Sequence, residues 1–211
     1  MIDINTINPI VGDPGSFSAI QFYQTRETLM DAEEYSRFIY AIENAFRRSR
    51  FYKDYKSHIM GVGLDFDQEM KAITSEMADI ELHHLMPTLK DASIMITEHL
   101  LNQYNRVCTF DVIKCLENAH RNNMMSVVML SKTMHQQYHH DPNAFISLSQ
   151  AYGNCFDFLE LYKDGLTLDI SFRWLLQLKM EDQYGNRTNW LQIPRQREIL
   201  LDWSESANIN Y

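Results

Sequence analysis

Residues 80–86 read IELHHLM. The alternation of apolar and polar side chains from Ile80 is typical of a β-strand, and two adjacent histidines stand near its end. A strand directs successive side chains to opposite faces, so His83 and His84 cannot share one environment. One interpretation is a solvated strand end before the turn at Pro87. The other is a metal ligand beside a general base. Either way, the fold must provide two different surroundings for these two imidazoles.

A second pair of histidines, His135 and His139, lies in the segment SKTMHQQYHH. We predict a short polar helix here, and residues four apart lie on the same face of a helix. Two such imidazoles, joined by a third from a strand, form a common type of divalent-metal site. In a chain with eight histidines this spacing also arises by chance, and solvent-facing histidines need no metal. His58, His99 and His120 lie on predicted helices without matching partners, and we expect surface or hydrogen-bonded histidines there.

The composition is that of a folded, mainly helical α+β protein. A chain of 211 residues with 45% hydrophobic residues, 7 glycines and 5 prolines can bury the core of one domain with appendages. The 3 cysteines contain no CxxC pair and leave one unpaired in any disulfide scheme, which suits a reducing compartment. Since no apolar run approaches the roughly 20 residues of a membrane span, we expect a cytoplasmic protein without a membrane partner.

The net charge of −9 opposes broad electrostatic attraction to nucleic acid. A local exception is FRRSRFYKDYK at residues 46–56, where basic and aromatic residues are interleaved. Its candidate nucleic-acid contacts are Arg47, Arg48, Arg50 and Lys53. Charge runs of this kind are common on solvated helix faces, so a helix that packs its rings inward is the favoured alternative.

Helical periodicity dominates the first half of the chain. An apolar stripe from Tyr35 to Phe46 predicts a helix capped by Asp31. A second helix is expected over residues 50–60, ending at Gly61 or Gly63. Residues 66–76 and 79–84 are predicted to form two strands that pair as a hairpin, with a short break near residues 77–79.

Further elements are predicted beyond Pro87. Thr88 and Asp91 have the spacing of a capping box, which opens a helix to about residue 103. Thr109 is expected to cap a helix over residues 110–122. A short apolar strand, VVML, follows at 127–130. Residues 144–153 are expected to be extended, residues 154–165 to form a helix closed by Gly165, and residues 166–180 to form another helix.

The order of these elements resembles the ββα-metal finger of HNH nucleases in their double-histidine variant. The order comprises a strand with ELHH, a proline, a later apolar strand and a helix with H-x-x-x-H, and the resemblance covers about residues 66–140. It implies that His83 is the first metal ligand, that His84 is the general base, and that His135 and His139 complete the protein ligands. The implied cofactor is one divalent metal ion, with Zn, Mg, Mn and Ni all open.

Two supporting positions follow from the same resemblance. Glu81 and Pro87 stand where such sequences often have an acidic residue and a proline. Ser126 stands where the family usually has an Asn whose side chain pins the loop that holds the base. Ser126 can make a shorter hydrogen bond of the same sense, and Asn122 or Asn123 can reach the loop if that loop is longer.

The chain is predicted to divide into three parts. Prolines and glycines, with Pro14 and Gly15 adjacent, indicate an irregular N-terminal arm at 1–28. The resemblance implies an HNH-like core, placed at 29–165 with a two-helix insertion at 88–122, and a C-terminal helical extension is predicted at 166–211. The whole chain is also similar to uncharacterised proteins of large tailed bacteriophages.

The leading expectation for function is a metal-dependent HNH endonuclease that hydrolyses DNA phosphodiester bonds, in the host cytoplasm if it is phage-encoded. The alternative is a catalytically inactive HNH-like module, stabilised by its metal, that binds a protein partner. A purely structural Zn site with His140 or Glu81 as fourth ligand is a further alternative, because a closed site leaves no position for substrate.

Overall fold

The computed structural model describes residues 23–63, 80–140 and 144–184. Within these residues the protein is 69% helical and 13% strand, with seven helices and two small antiparallel sheets. The predicted α+β, mainly helical class is confirmed. Most of the predicted N-terminal arm, the strand expected at 66–76 and the chain beyond residue 184 lie outside the described residues.

The elements follow one another with short connections. The helices are α1 (Ala32–Arg48), α2 (Arg50–Gly63), α3 (Leu89–Tyr104), α4 (Thr109–Arg121), α5 (Lys132–His140), α6 (Cys155–Tyr162) and α7 (Leu168–Tyr184). The strands are β1 (Gln24–Thr25), β2 (Ile80–Met86), β3 (Arg106–Val107) and β4 (Ser126–Ser131). Two 3₁₀ turns, Leu148–Gln150 and Lys163–Gly165, flank α6.

The histidine-bearing strand β2 pairs antiparallel with β4, the predicted short apolar strand. His83 lies opposite Val128 and His84 opposite Val127, and the register shifts between His84 and Met86. The two-helix insertion, α3 and α4, therefore separates the two strands along the chain while they pair in space. A second, two-residue ladder joins β1 to β3.

Side-chain caps fix where two of the helices begin. The Asp31 carboxylate accepts hydrogen bonds from the backbone N–H groups that follow it in α1, and the Thr88 hydroxyl accepts from the N–H of Asp91 in α3. Both predicted caps are confirmed. The cap predicted at Thr109 is wrong, because only Cys108 separates β3 from α4 and Thr109 is already helical. Cys108 occupies the N-cap position without a side-chain hydrogen bond to the helix.

A single hydrophobic cluster joins helices from both ends of the described chain. Ile42 and Phe46 from α1, Leu116 from α4 and Trp174 from α7 have no exposed surface, and Met95 of α3 lies among them. The apolar stripe predicted for the first helix is thus its buried face. The helix predicted after residue 165 contributes Trp174 to the same core.

The segment predicted as a strand or extended at 144–153 contains a 3₁₀ turn, Leu148–Gln150, followed by one isolated bridge between Tyr152 and Val127. The reason lies in α7, where the buried Glu181 carboxylate accepts hydrogen bonds from the Ser147 hydroxyl and the Leu148 N–H. The bond from Leu148 pairs a backbone N–H that a strand would have paired in a ladder.

Two glycines allow the loops around α6 to approach the core. Gly153 has a φ of +95°, and a Cβ built there would lie 2.2 Å from the Met125 carbonyl oxygen. A Cβ at Gly165 would lie 2.0 Å from the Met95 carbonyl oxygen in α3. Gly165 ends the 3₁₀ turn after α6, whereas the helix itself ends at Tyr162.

Candidate metal centre and buried histidine pair

On one face of β2, His83 meets the two histidines of α5. The His83 ring centroid lies 4.9 Å from that of His135 and 5.3 Å from that of His139. One ring nitrogen of each residue lies within 4.8 Å of the corresponding nitrogens of the other two. The structure therefore brings together the three residues predicted as metal ligands.

The local fold explains this convergence. β4 runs into α5 without an intervening residue, and the Ser131 hydroxyl accepts a hydrogen bond at 3.2 Å from the backbone N–H of Met134. The antiparallel register places His83 opposite Val128, three residues before β4 ends at Ser131. The first turns of α5 therefore lie over His83, and the four-residue spacing of His135 and His139 aligns both rings with it.

The spacing of the α5 imidazoles suits a tetrahedral ion. The two Nε2 atoms of His135 and His139 are 3.0 Å apart. Two nitrogens bound tetrahedrally at 2.0–2.1 Å from zinc would be about 3.3 Å apart. All three pairs of ring nitrogens lie within 4.8 Å, so the three side chains face one common region.

Glu81 sets the orientation of His135. Its carboxylate accepts a hydrogen bond from His135 Nδ1, so the lone pair of the neutral ring lies on Nε2, the atom that faces His139. A carboxylate that holds the non-ligating nitrogen of a histidine is the usual outer partner of a metal-bound imidazole. Glu81 therefore fits an orienting role.

Burial favours the neutral, metal-binding form of His83 and His139. Burial is the main cause that lowers the pKa of His83 to about 4, followed by charge repulsion from His135 and His139. The pKa of His139 is also lowered, first by burial and then by its histidine neighbours. The Tyr138 ring packs against His83 with 4.8 Å between centroids and closes the inner side of the cluster. His139 is exposed, which leaves the outer side open.

His84 faces the opposite side of β2 and is 7% exposed. Its ring packs against the rings of Tyr52 and His120, and its Nε2 atom is 2.8 Å from Nε2 of His120. His120 has no exposed surface. The predicted base is therefore part of a buried histidine pair, which we define as His84 and His120.

The hydrogen bonds assign the tautomers of this pair. His120 Nδ1 lies 2.6 Å from the Leu116 carbonyl oxygen and must donate to it, so His120 Nε2 accepts the proton of His84 Nε2. The remaining lone pair of His84 is on Nδ1. Burial lowers the pKa of His120 to about 4 and that of His84 well below its ordinary value, with the charge of His120 as the next cause for His84. Both rings are neutral near pH 7.

The sequence interpretation missed the role of His120. A surface or hydrogen-bonded histidine is expected there, and the structure shows a hydrogen-bonded one that also contacts the candidate base directly. A signal was present: Val112, Leu116 and His120 follow one another at four-residue spacing, so His120 continues the buried stripe of α4. A histidine on such a stripe needs a buried partner.

Ser126 makes hydrogen bonds away from the two histidines. Its hydroxyl donates to the Gly153 carbonyl at 3.4 Å and accepts from the Cys155 N–H at 3.3 Å, which ties β4 to the start of α6. The Asn122 side chain donates to the Asn118 carbonyl of its own helix. The Asn123 carbonyl accepts from the Asn154 N–H at 2.6 Å.

The basic segment forms a solvated surface across α1 and α2. Its rings pack inward, with Phe46 fully buried and Tyr55 8% exposed. This is the arrangement that the favoured alternative, a solvated helix face, predicts. Two of the arginines lie 3.8 Å and 3.5 Å from acidic side chains on their own helices. The four exposed residues predicted as nucleic-acid contacts are Arg47, Arg48, Arg50 and Lys53.

A family model described as Bacteriophage G278-like virion protein matches residues 15–192. The chain belongs to this virion protein family. The match supports the phage origin that the sequence resemblance implied, and it provides no evidence for an HNH family. No curated protein and no solved structure matches this virion protein.

The expected cytoplasmic location is not supported by the family match, because its description refers to the virus particle. No helix in the described parts of this virion protein has the length and apolar character needed to cross a membrane.

Proposed function

We propose that this virion protein binds one divalent metal ion through His83, His135 and His139, and that the ion fastens α5 to β2. The observation that carries the proposal is the convergence of one imidazole from the strand and two from the helix within 4.8 Å. Three neutral nitrogen ligands favour Zn or Ni over Mg in affinity.

The packing of α5 gives the ion a structural task. The helix has nine residues, and no side chain described for it is fully buried. Isolated helices of this length are marginal in water, and most helices depend on burial of an apolar face. Since α5 buries little apolar surface, a metal shared with His83 would supply much of its attachment to the sheet.

The ligand set leaves one coordination position for a group outside these three residues. The exposed His139 marks the solvent side of the cluster, while Tyr138 and β2 close the inner side. Zinc sites with three protein ligands normally hold water or another ligand in the fourth position. This arrangement supports an open site more strongly than a closed structural one.

Thermal unfolding of metal-free protein tests this proposal. At an ion concentration 100-fold above Kd, zinc or nickel should stabilise the wild type by about 2.7 kcal/mol. His135→Ala should lose this stabilisation because it removes the central ligand. His140→Ala, the control on the same helix, should keep it. A wild type whose melting temperature responds to no ion would contradict the proposal.

A second candidate function is the HNH-type endonuclease, with DNA as substrate. The observation that favours it is the order β2, β4, α5, in which two antiparallel strands lead into a helix and the three histidines converge from β2 and α5. When bound, a divalent ion supplies stabilisation of charge on a phosphodiester group. His84 Nδ1 carries the lone pair that the bond to His120 leaves unused, and this nitrogen would accept the proton of the attacking water. The Tyr52 side of His84 would have to open for this step, since His84 is 7% exposed.

Nicking of supercoiled plasmid distinguishes the two candidate functions. With Mg, Mn, Ni or Zn added separately, a nuclease should lose at least about 100-fold in rate in His84→Gln while the metal-dependent melting shift persists. His140→Ala should cleave like the wild type. If the wild type binds metal but cleaves with none of these ions, the nuclease proposal is rejected and the metal-binding proposal stands.

A further inference from the structure

A cleft lies between α2 and α4, on the side of the buried histidine pair that faces away from the metal ligands. Its volume is about 680 Å³, and Tyr55, His120, Arg121 and Tyr152 are among its walls. Cavities of this size are typical of small-molecule sites. Its chemistry is unrelated to the three-histidine cluster, so any ligand here would form a separate site.

Two rings, those of Phe51 and Tyr55, line this cleft, and the fully buried His120 ring packs behind them. The rings of Phe51 and Tyr55 are stacked with centroids 6.0 Å apart, and the His120 ring meets Tyr55 edge-on at 4.9 Å. Stacking on such rings is the usual way in which proteins hold a nucleic-acid base without reading its sequence. A planar heterocycle therefore matches this surface.

The Tyr55 hydroxyl supplies a polar group that has no other task. The side chain is 8% exposed, and its Oη atom finds no hydrogen-bond partner among the described residues. Burial raises the pKa of Tyr55, so the group is a protonated donor at neutral pH. An unpaired buried hydroxyl is unfavourable, and a ligand acceptor atom in the cleft would satisfy it.

Arg121 supplies positive charge above the rings. Its guanidinium carbon lies 4.6 Å from the centroid of Phe51, and within the described residues it forms no ion pair. Arg50, on the opposite rim, lies 3.5 Å from Asp54, and the Glu117 carboxylate lies 3.5 Å from Lys114. Among the described residues that line the cleft, Arg121 is therefore an arginine without an ion pair, available to an anionic group.

We propose that this cleft binds a nucleotide, with the base against the rings of Phe51 and Tyr55 and the phosphate on Arg121. An acceptor atom of the base receives the Tyr55 hydroxyl proton. The arginine fork suits phosphate oxygens, and its stacking on Phe51 holds it flat over the cleft. A free nucleotide and one unit of single-stranded nucleic acid share this chemistry. The site does not depend on the proposed metal ion.

Calorimetric titration of the metal-free, full-length protein tests the site. The titrants are the four deoxynucleoside monophosphates, a short single-stranded oligonucleotide and inorganic phosphate. Arg121→Ala should weaken nucleotide binding about tenfold, because a charge-assisted hydrogen bond is lost. Tyr55→Phe should weaken it about fivefold through the loss of one hydrogen bond.

Two matched variants serve as controls. Arg106→Ala removes another guanidinium stacked on an aromatic ring, 5.1 Å from the Tyr23 centroid and outside the cleft walls. Tyr35→Phe removes another buried hydroxyl, on α1. Both should bind nucleotide like the wild type. Without ligand, Tyr55→Phe should melt no lower than the wild type, which shows that its binding defect is not a folding defect.

The outcomes identify the source of the ligand. Similar affinity for monophosphate and oligonucleotide supports a free nucleotide, and much tighter binding of the oligonucleotide supports a single strand. Phosphate alone binding as well as the monophosphates would overturn the role of the rings. Absence of binding to all titrants, or binding that neither Arg121→Ala nor Tyr55→Phe weakens, would overturn the proposal.

Discussion

The two faces of β2 place adjacent histidines in opposite circumstances. His83 gathers with His135 and His139 in a cluster that reaches solvent through His139. His84 is enclosed with His120, and each Nε2 atom is satisfied by the other residue. One face brings together the nitrogen lone pairs of three imidazoles, and on the other face the two Nε2 atoms form a hydrogen bond with each other.

The difference shows that residue type alone does not assign a role to an imidazole. A cluster of three rings around a potential ion is suited to binding, whereas a neutral, hydrogen-bonded pair in the core contributes stability. Both environments occur beside one strand, because its alternation sends one histidine to each side.

The largest effect should come from breaking the buried pair. His120→Ala should lower the free energy of unfolding by about 3 kcal/mol, because it removes a buried ring and leaves His84 and the Leu116 carbonyl without their partner. In the absence of metal, His139→Ala on the open face should change the free energy of unfolding by no more than about 0.5 kcal/mol. Urea unfolding in the presence of a chelator measures both. Equal losses in the two variants would abolish the proposed distinction.

Acid should weaken the buried face. The pKa of His120 is about 4 in the folded protein, below its ordinary value of 6.5. The unfolded chain therefore binds more protons between these values, so the contribution of His120 is complete above pH 6.5 and is lost as pH falls toward 4. At pH 5 the loss should be about 2 kcal/mol relative to pH 7.

Urea unfolding at pH 7 and pH 5, with wild type and His120→Gln, checks this expectation. Gln keeps a polar side chain but does not titrate, so its variant should show a flatter pH dependence. His84 is present in both proteins. If the two profiles have the same slope, proton uptake by His120 does not control acid stability.

A smaller effect should appear on the open face when Glu81 is changed. Glu81→Gln weakens the acceptor that holds His135 Nδ1, so zinc affinity should fall about tenfold while the fold remains intact. Glu33→Gln is the control, because that exposed carboxylate pairs with Arg37 on α1. Competition with a colorimetric chelator measures the affinity. Unchanged affinity in Glu81→Gln would show that Glu81 does not orient the ligand.

Local patterns predicted much of this fold. The stripe and cap of α1, the Thr88 cap of α3 and the H-x-x-x-H helix α5 all follow from interactions within a few residues. The Thr109 cap failed because the end of β3 decided where α4 begins. The turn at Ser147 was missed because its partner, Glu181, lies 34 residues away along the chain.

The candidate site shows the same limit. The spacing of His135 and His139 and the alternation at His83 predicted three residues that the structure brings together. The surroundings of His84 were not predictable in the same way, because they depend on how α2 and α4 pack beside β2. Tyr52 and His120 enter only through that tertiary packing.

The most direct test of the central claim is X-ray absorption at the zinc edge of the zinc-loaded protein. Three imidazole nitrogens and one further nitrogen or oxygen ligand should appear at about 2.0–2.1 Å, and His139→Ala should reduce the imidazole count to two. Sulfur at about 2.3 Å, or a spectrum that His139→Ala leaves unchanged, would contradict a shared site on His83, His135 and His139.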